Sequence, residues 1–306
     1  MACGEALAAK PETLAAGTAS LFALVASRSR KEEYMSDGGS TAVLKSLLME
    51  RSLNDRELMK ASDSAPDYSI LPDVSVLKIG GQSLMDRGRA AVYPIVEELA
   101  TIKRSWPILI GTGGGTRARH AYSVAAELGM PTGVLTNVGN AVAGQNAQML
   151  GYLMARYGVP VVGHEAFNAL ALYVAQSGAA IFPGMPPYDM WEHVPHEGVI
   201  PPYRTDAGCY LVAEVYGCRS MVFVKDEDGL YTANPKTDKS AKLIPEITVD
   251  ELITLDLPDL IIERPLLELM RHARHMRSVQ VINGQRPGLI SRALAGEHVG
   301  TIISAD

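Results

Sequence analysis

The sequence predicts an α/β fold in which a mostly parallel sheet is covered by helices on both faces. Short, continuously apolar strand segments alternate with helical patterns along most of the chain. Strands buried on both faces and joined by crossovers belong to parallel sheets. Several strands end in glycine or in a charged residue, as in VLKIGGQS at 76–83, and open parallel sheets bind ligands beyond the carboxyl ends of their strands. The chain has 306 residues, 47% of them hydrophobic and 20% charged, which is enough for one large core or two ordinary ones. No composition break forces a division, and no fixed period repeats.

Residues 1–34 read as a disordered extension or a start-site artefact without function. TLAAGTASLFALVA (13–26) resembles a short signal-peptide core, but the preceding MACGEALAAKPE has almost no net positive charge. Met35 reads as a natural start. Residues 35–73 read as an N-terminal helix and linker: VLKSLLMERSL (43–53) has helical spacing, and SDSAPDYSILPD (62–73) is polar and marked by proline. The main domain reads as 74–306. VSVLKI (74–79) is a buried strand, 86–105 an amphipathic helix with Pro94 near its first turns, and PILIGT (107–112) a second strand. A helix over 116–129 stops at Gly129. Then come a helix at 140–157, a strand VPVVG (159–163), a helix at 169–178 and a strand AAIFPG (179–184). A proline-rich loop, 185–205, precedes a helix at 206–217 and the strand SMVFVKD (220–226). After a polar excursion (227–242), helices are expected around 248–256 and 265–276. A strand at 279–285, a helix at 289–296 and a strand at 300–305 complete the chain.

A net charge of −6, with no Lys/Arg cluster among aromatics, argues against a nucleic-acid surface. The three cysteines, Cys3, Cys209 and Cys218, lack CxxC spacing. They fit a reducing compartment and argue against a disulfide framework or a thiolate zinc site. No apolar run approaches the ~20 residues of a membrane span.

Four stretches at the carboxyl side of strands carry unusual residues: KIGGQS (78–83), GTGGGTRARH (111–120), YRTDAG (203–208) and KDEDGLYTANPK (225–236). Each has an ordinary reading. Glycine after a strand makes a turn, Asp206 caps a helix, and Asp228-Gly229 is a plain turn. Together they also meet the requirements of a nucleoside triphosphate. Gly80, Gly81, Gly113, Gly114 and Gly115 offer backbone N–H groups without side-chain obstruction. Lys78 and Lys225 are candidate counter-ions. Asp206 either orients those lysines or holds Mg²⁺. Neither GxxxxGK[ST] nor GxGxxG is present, so the chain is neither an ordinary P-loop protein nor a Rossmann dinucleotide binder.

In this order the four motifs resemble the amino acid kinase family, which includes UMP kinase, acetylglutamate kinase and carbamate kinase. Each motif is weak alone; the combination is specific. The resemblance implies a three-layer α/β/α sandwich. A closer likeness runs from about Met35 to the C-terminus, to β-type chains of a molybdenum-storing branch of that family. It is carried by MDRGRAAVYPIVEEL, GTGGGTRARHAYSVAAELGMP, GQNAQMLGYLMARYGVPVV, GMPPYDMWEHVPHEGVIPPYRTDAGCYL, VKDEDGLYTANPKT and QRPGLISRALAGEHVGTII. It implies a cytoplasmic hexamer of α- and β-type subunits, in which ATP drives deposition of polyoxomolybdate clusters and tungstate can replace molybdate.

By motif, Lys78, Gly80, Gly81, Gly113 and Gly114 match phosphate-binding positions, and Asp206 matches the acidic residue that organises the phosphates. Lys225, Asp228, Tyr231, Asn234 and Lys236 match the nucleotide-binding strand end and loop. Asn234-Pro235 stands where the kinases commonly have Asp-Pro.

Oxomolybdates are oxyanions, so amides, hydroxyls, imidazoles and N–H groups are the expected ligands. His164 and Glu165, just after VPVVG, are candidates, with Gln145, Asn146 and Gln148 on the preceding helix. A lone histidine here also reads as an ordinary solvent-facing side chain. His193 and His196 are separated by Val-Pro, which argues against a helical metal pair. His272 and His275, among Arg271, Arg274 and Arg277, read as a solvated or subunit-facing stripe, and His120 as a neighbour of the anion pocket. Two other functions fit the same motifs: a small-molecule kinase similar to UMP kinase, and a regulatory nucleotide sensor without turnover. A kinase needs a second-substrate site in line with the γ-phosphate, and the 185–205 loop occupies that part of the chain.

Overall fold

The computed structural model of the chain describes residues 67–187 and 199–306. The expectations for 1–66, including the helix at 43–53, and those for most of the proline-rich loop, with His193 and His196, lie outside the described residues. In chain order the strands are β1 (Ser75–Ile79), β2 (Ile108–Thr112), β3 (Ala179–Pro183), β4 (Ser220–Lys225), β5 (Leu230–Tyr231), β6 (Leu243–Ile244), β7 (Glu246–Thr248), β8 (Ser278–Asn283) and β9 (Thr301–Ser304). Seven form one sheet in the order β3-β2-β1-β4-β8-β9-β7. Every neighbouring pair is parallel except β8 and β9.

The alternation of side chains along each strand divides the core in two. Leu77 and Ile79 of β1, with Val222 and Val224 of β4, face α1 (Arg89–Ile102), α3 (Thr132–Met154) and α8 (Leu289–Leu294). Val76, Met221 and Phe223 face the other way, toward α4 (Leu170–Ser177), α5 (Thr205–Val215), α6 (Val249–Leu255) and α7 (Pro265–Arg271). The fold is therefore the three-layer sandwich. The remaining helix, α2 (Gly115–Glu127), packs on α3 through Tyr122, Ala125, Leu135 and Val142. The same alternation puts Lys78 and Lys225 on the α5 face at the carboxyl ends of adjacent strands. Lys78 pairs with Phe223 across the ladder, and Lys225 lies two residues further on.

Three expectations need correction. The helix expected from 140 starts at Thr132, directly after an extended Pro131. Its first turns, TGVLTNVGN, are too rich in glycine and β-branched residues to read as helix. VPVVG is not a strand. It touches the sheet edge through a single bridge, Val161 to Ile181, and Pro160 has no N–H to continue a ladder. The polar excursion hides the antiparallel pair β5–β6, and β7 joins the sheet beside β9. The arginines of the stripe that also holds His272 and His275 are partly exposed and each is paired. Arg271 pairs with Asp250, Arg274 with Asp67, and Arg277 with Asp306. His275 Nδ1 lies 3.3 Å from Ser69 Oγ. The end of the expected linker is tethered as well, because Ile70 and Leu71 N–H both donate to the Tyr216 carbonyl.

The start of α8 is secured by a carboxylate from a distant part of the chain. Glu98 of α1 accepts from Gly288 and Ser291 N–H at the start of α8 (3.0 and 2.8 Å). This satisfies donors that would otherwise be unpaired and complements the helix dipole. The same device recurs in the site.

Candidate functional site

A cavity of about 550 Å³ opens at the carboxyl ends of β1, β2 and β4. Two glycine loops form one wall because nothing larger fits. A Cβ on Gly81 would lie 2.2 Å from the Gly115 nitrogen, and one on Gly113 would lie 2.7 Å from the Gly81 nitrogen. Two side chains hold this pair of loops. Asn146, fully buried on α3, donates to the Gly113 carbonyl at 2.5 Å. Asp86 accepts from Thr116 N–H at 2.6 Å, joining the first loop to the start of α2.

The five glycines divide by what their N–H groups do. Gly80 donates to the Val224 carbonyl and Gly113 to the Ile79 carbonyl. Among the described residues, the N–H groups of Gly81, Gly114 and Gly115 have no acceptor. All three residues line the cavity. Buried backbone donors are ordinarily paired, and three unpaired N–H groups on residues that line one cavity can serve as an anion cradle.

Beside these loops lies a buried charge cluster, with Lys78 Nζ 3.2 Å from where a Cβ on Gly113 would stand. Asp206, in the first turn of α5, is reached by Lys78 Nζ at 2.7 Å and by Lys225 Nζ at 2.8 Å. All three side chains are almost fully buried. Burial opposes the charge on Asp206, but Lys225 and Lys78 outweigh it and hold the carboxyl well below the usual range. Burial also opposes the charge on Lys78, yet Asp206 more than offsets it and the pKa is raised. For Lys225 burial wins, with Lys78 adding repulsion, and the pKa falls to about 8. Burial pushes the adjacent Cys209 thiol up, so it stays protonated. Asp206 oxygens also accept from Glu263 N–H at 3.2 Å. Of the two roles open to Asp206, orienting the lysines is the one this geometry serves.

Glu263, from the turn before α7, returns that bond. Its carboxylate accepts from Arg204, Asp206 and Ala207 N–H at 3.0, 3.1 and 3.2 Å, capping α5. Sequence reading missed it; a single acid within IIERPLL was the only signal. Arg119 and Tyr122 of α2, Arg87 and Asp226 also line the cavity and were missed as site residues.

The rim carries another charge group. Arg87 and Lys236 both reach Asp226, at 2.5 and 2.6 Å, and Asn234 donates to Asp259 at 2.9 Å. Lys236 and Asn234 line the cavity; Asp228 and Tyr231 do not. Asp228 instead accepts from Asn283 and pairs with Arg286.

The cargo candidates also lie off this cavity. His164 Nε2 is 3.1 Å from the Pro183 carbonyl, and its ring edge packs on Phe167. Burial lowers its pKa, keeping the imidazole neutral. Glu165 follows it in the same short helix, His164–Ala169. Gln145 accepts from Arg117 at 3.3 Å. Among the described residues no three His, Cys, Asp or Glu side chains group as a metal site. His120 is exposed and does not line the cavity. No helix of the described residues is long and apolar enough to cross a membrane.

Comparison with known proteins is consistent with this architecture. The amino acid kinase family matches residues 73–283. The chain is 59% identical over 266 residues to the molybdenum storage protein subunit beta of Azotobacter vinelandii, covering 87% of this chain and 98% of that one. It is 28% identical over 214 residues to the uridylate kinase of Hyperthermus butylicus, covering 69% and 87% respectively. The UMP kinase of Bacillus anthracis superposes with a TM-score of 0.60 at 22% identity, over 77% of this chain and 97% of that one. That last likeness shows the fold alone.

Proposed function

The chain belongs to the amino acid kinase family, and from that premise we propose that it is a β-type molybdenum-storage subunit. In this reading it binds ATP with Mg²⁺ and uses it to deposit oxomolybdate, or tungstate, inside a cytoplasmic hexameric cage shared with an α-type partner. One observation carries the reading: 59% identity across 98% of a storage subunit, against 28% to a uridylate kinase. The domain from residue 74 onward would carry the nucleotide site, and residues 1–34 would be dispensable.

The site's chemistry supports polyphosphate binding. Gly81, Gly114 and Gly115 N–H would cradle the phosphates. Lys78 and Lys225 each retain ammonium protons beyond those engaged by Asp206, free to bond phosphate oxygens. Asp206 would hold both ammonium groups in place, and Mg²⁺ would arrive on the phosphates. Hydrolysis would move the γ-phosphoryl group to water, giving ADP and phosphate, with positive charge and N–H dipoles stabilising the transferred group. Lys236, Asn234, Asp228 and Tyr231 would serve the nucleoside side. His164, Glu165 and Gln145, which do not line the cavity, would face the cargo.

The test is a paired assay on one preparation with its partner subunit. We expect ATP-dependent retention of molybdenum after gel filtration and no phosphorylation of UMP, N-acetylglutamate or carbamate. Robust transfer without retained metal would establish a kinase; ATP binding with neither activity would establish a sensor.

A pH prediction follows from Lys225, whose pKa is lowered to about 8. A bound polyphosphate favours its protonated form. ATP affinity should therefore be flat below that pH and fall above it, by up to about tenfold per unit. Calorimetry at pH 9 in two buffers of different ionisation enthalpy should show proton uptake on binding. Identical heats in both buffers would refute it.

A further inference from the structure

We infer that Glu263 is a positioning residue for the phosphate site: its carboxylate holds the start of α5 so that Asp206 stands between Lys78 and Lys225. The inference rests on the nucleotide-binding reading above. Glu263 comes from a different element, the turn that leads into α7, and its side chain is only 10% exposed. Three consecutive-turn N–H groups, those of Arg204, Asp206 and Ala207, converge on its two oxygens. Its own N–H donates back to Asp206. The pairing is therefore reciprocal. The backbone of each acid bonds the carboxylate of the other, and neither can shift without breaking bonds at both. Asp206 in turn holds both lysines.

A carboxylate at this place also sets charge. Glu263 is faced by Arg204, Asp206 and Cys209 from α5 and its lead-in, by Lys78 from β1, by Lys225 from β4 and by Tyr122 from α2. Burial and the neighbouring Asp206 charge push the Glu263 carboxyl up, while Arg204 and Lys78 favour its ionised form; ionised, it adds a second counter-charge for the two buried lysines. Without it, two ammonium groups would share a single carboxylate in a poorly solvated site, and the one nearer neutrality, Lys225, would lose its proton more readily. An ordinary helix cap would stabilise α5 without affecting lysine ionisation. Positioning predicts both effects, and this separates the two roles.

The deciding measurement needs no nucleotide. In ligand-free protein with ¹³C/¹⁵N-labelled lysine, the Lys225 resonance is assigned with Lys225→Met and titrated by NMR in the parent, in Glu263→Gln and in Glu263→Asp. We expect the Lys225 midpoint in E263Q to move to lower pH by at least half a unit. E263D, which keeps the charge, should remain near the parent. A thermally matched core variant, Leu267→Ala, should leave the midpoint unchanged. In parallel, ATP affinity should fall roughly tenfold in E263Q, the size expected for a disturbed charge-assisted contact. An unchanged Lys225 midpoint in folded E263Q would overturn the inference. Should E263Q not fold, Glu263→Asp decides instead: a Lys225 midpoint within half a unit of the parent value supports the inference, and a larger downward shift overturns it. Failure of the parent to bind ATP would instead overturn the nucleotide reading, while the titration still decides the role of Glu263.

Discussion

Asp206→Ala should lower the melting temperature by roughly 6–20 °C. Removing one partner of a buried ion pair costs about 3–5 kcal/mol, because the remaining charge has neither water nor counter-ion. For a unit of this size each kcal/mol corresponds to about 2–4 °C. Here the remaining charges are two, Lys78 and Lys225, both nearly inaccessible. The variant also leaves the Glu263 N–H without its acceptor.

The loss should depend on pH with a definite sign. Asp206 has a native pKa below its unfolded value. Its contribution is thus fully present above the unfolded pKa, about 3.9, and disappears as pH falls through the depressed native value. On the alkaline side, the lysines of the variant, left with only Glu263 as a nearby counter-charge, release protons earlier than those of the parent, so the gap should narrow as pH rises. Differential scanning calorimetry at pH 5, 7 and 9 checks this. A variant within 2 °C of the parent at pH 7, roughly the shift of a single kcal/mol or less, would contradict the buried-pair account.

How much of this was legible beforehand depended on how local each signal is. β1, β2, β3 and β4 are short apolar runs bounded by turn residues, and the sequence marks them because both faces are buried. Lys78 and Lys225 stood out as charges at the ends of such runs, and Asp206 as an acid opening a helix. VPVVG misled because its composition suits a strand, while its proline limits it to one bridge. The first turns of α3 were hidden because they are held by packing on α2 rather than by helix propensity. Glu263 could not be read at all. Its meaning lies in three N–H groups more than fifty positions earlier in the chain. Asp86 acts in the same way, 30 residues from the N–H it caps. A carboxylate that serves a distant helix leaves no pattern in its own neighbourhood.

Gly81→Ala should abolish most nucleotide binding while the chain stays folded, with ATP affinity falling roughly a hundredfold. The added Cβ would meet the Gly115 nitrogen at 2.2 Å, the Gly115 Cα at 2.7 Å and the Gly113 carbonyl carbon at 2.8 Å. All three are backbone atoms, so no rotamer change relieves the clash, and the two glycine loops must move apart. Moving them separates the N–H of Gly81 from those of Gly114 and Gly115. A hydrogen bond to a charged group contributes about 1.5–3 kcal/mol, so losing one or two gives the stated factor. Two other glycine substitutions isolate the cause. At Gly80 the nearest obstacle is the Ser83 hydroxyl, a side chain that can rotate away, so Gly80→Ala should affect binding much less. Gly129 has φ +71° with nothing within 4 Å, so Gly129→Ala strains the backbone far from the cradle. It should reduce stability by about 1–2 kcal/mol without altering ATP affinity. Calorimetric titration of all three variants, alongside their melting curves, gives the answer. A folded Gly81→Ala protein that binds ATP like the parent would mean that the phosphates do not lie against these loops.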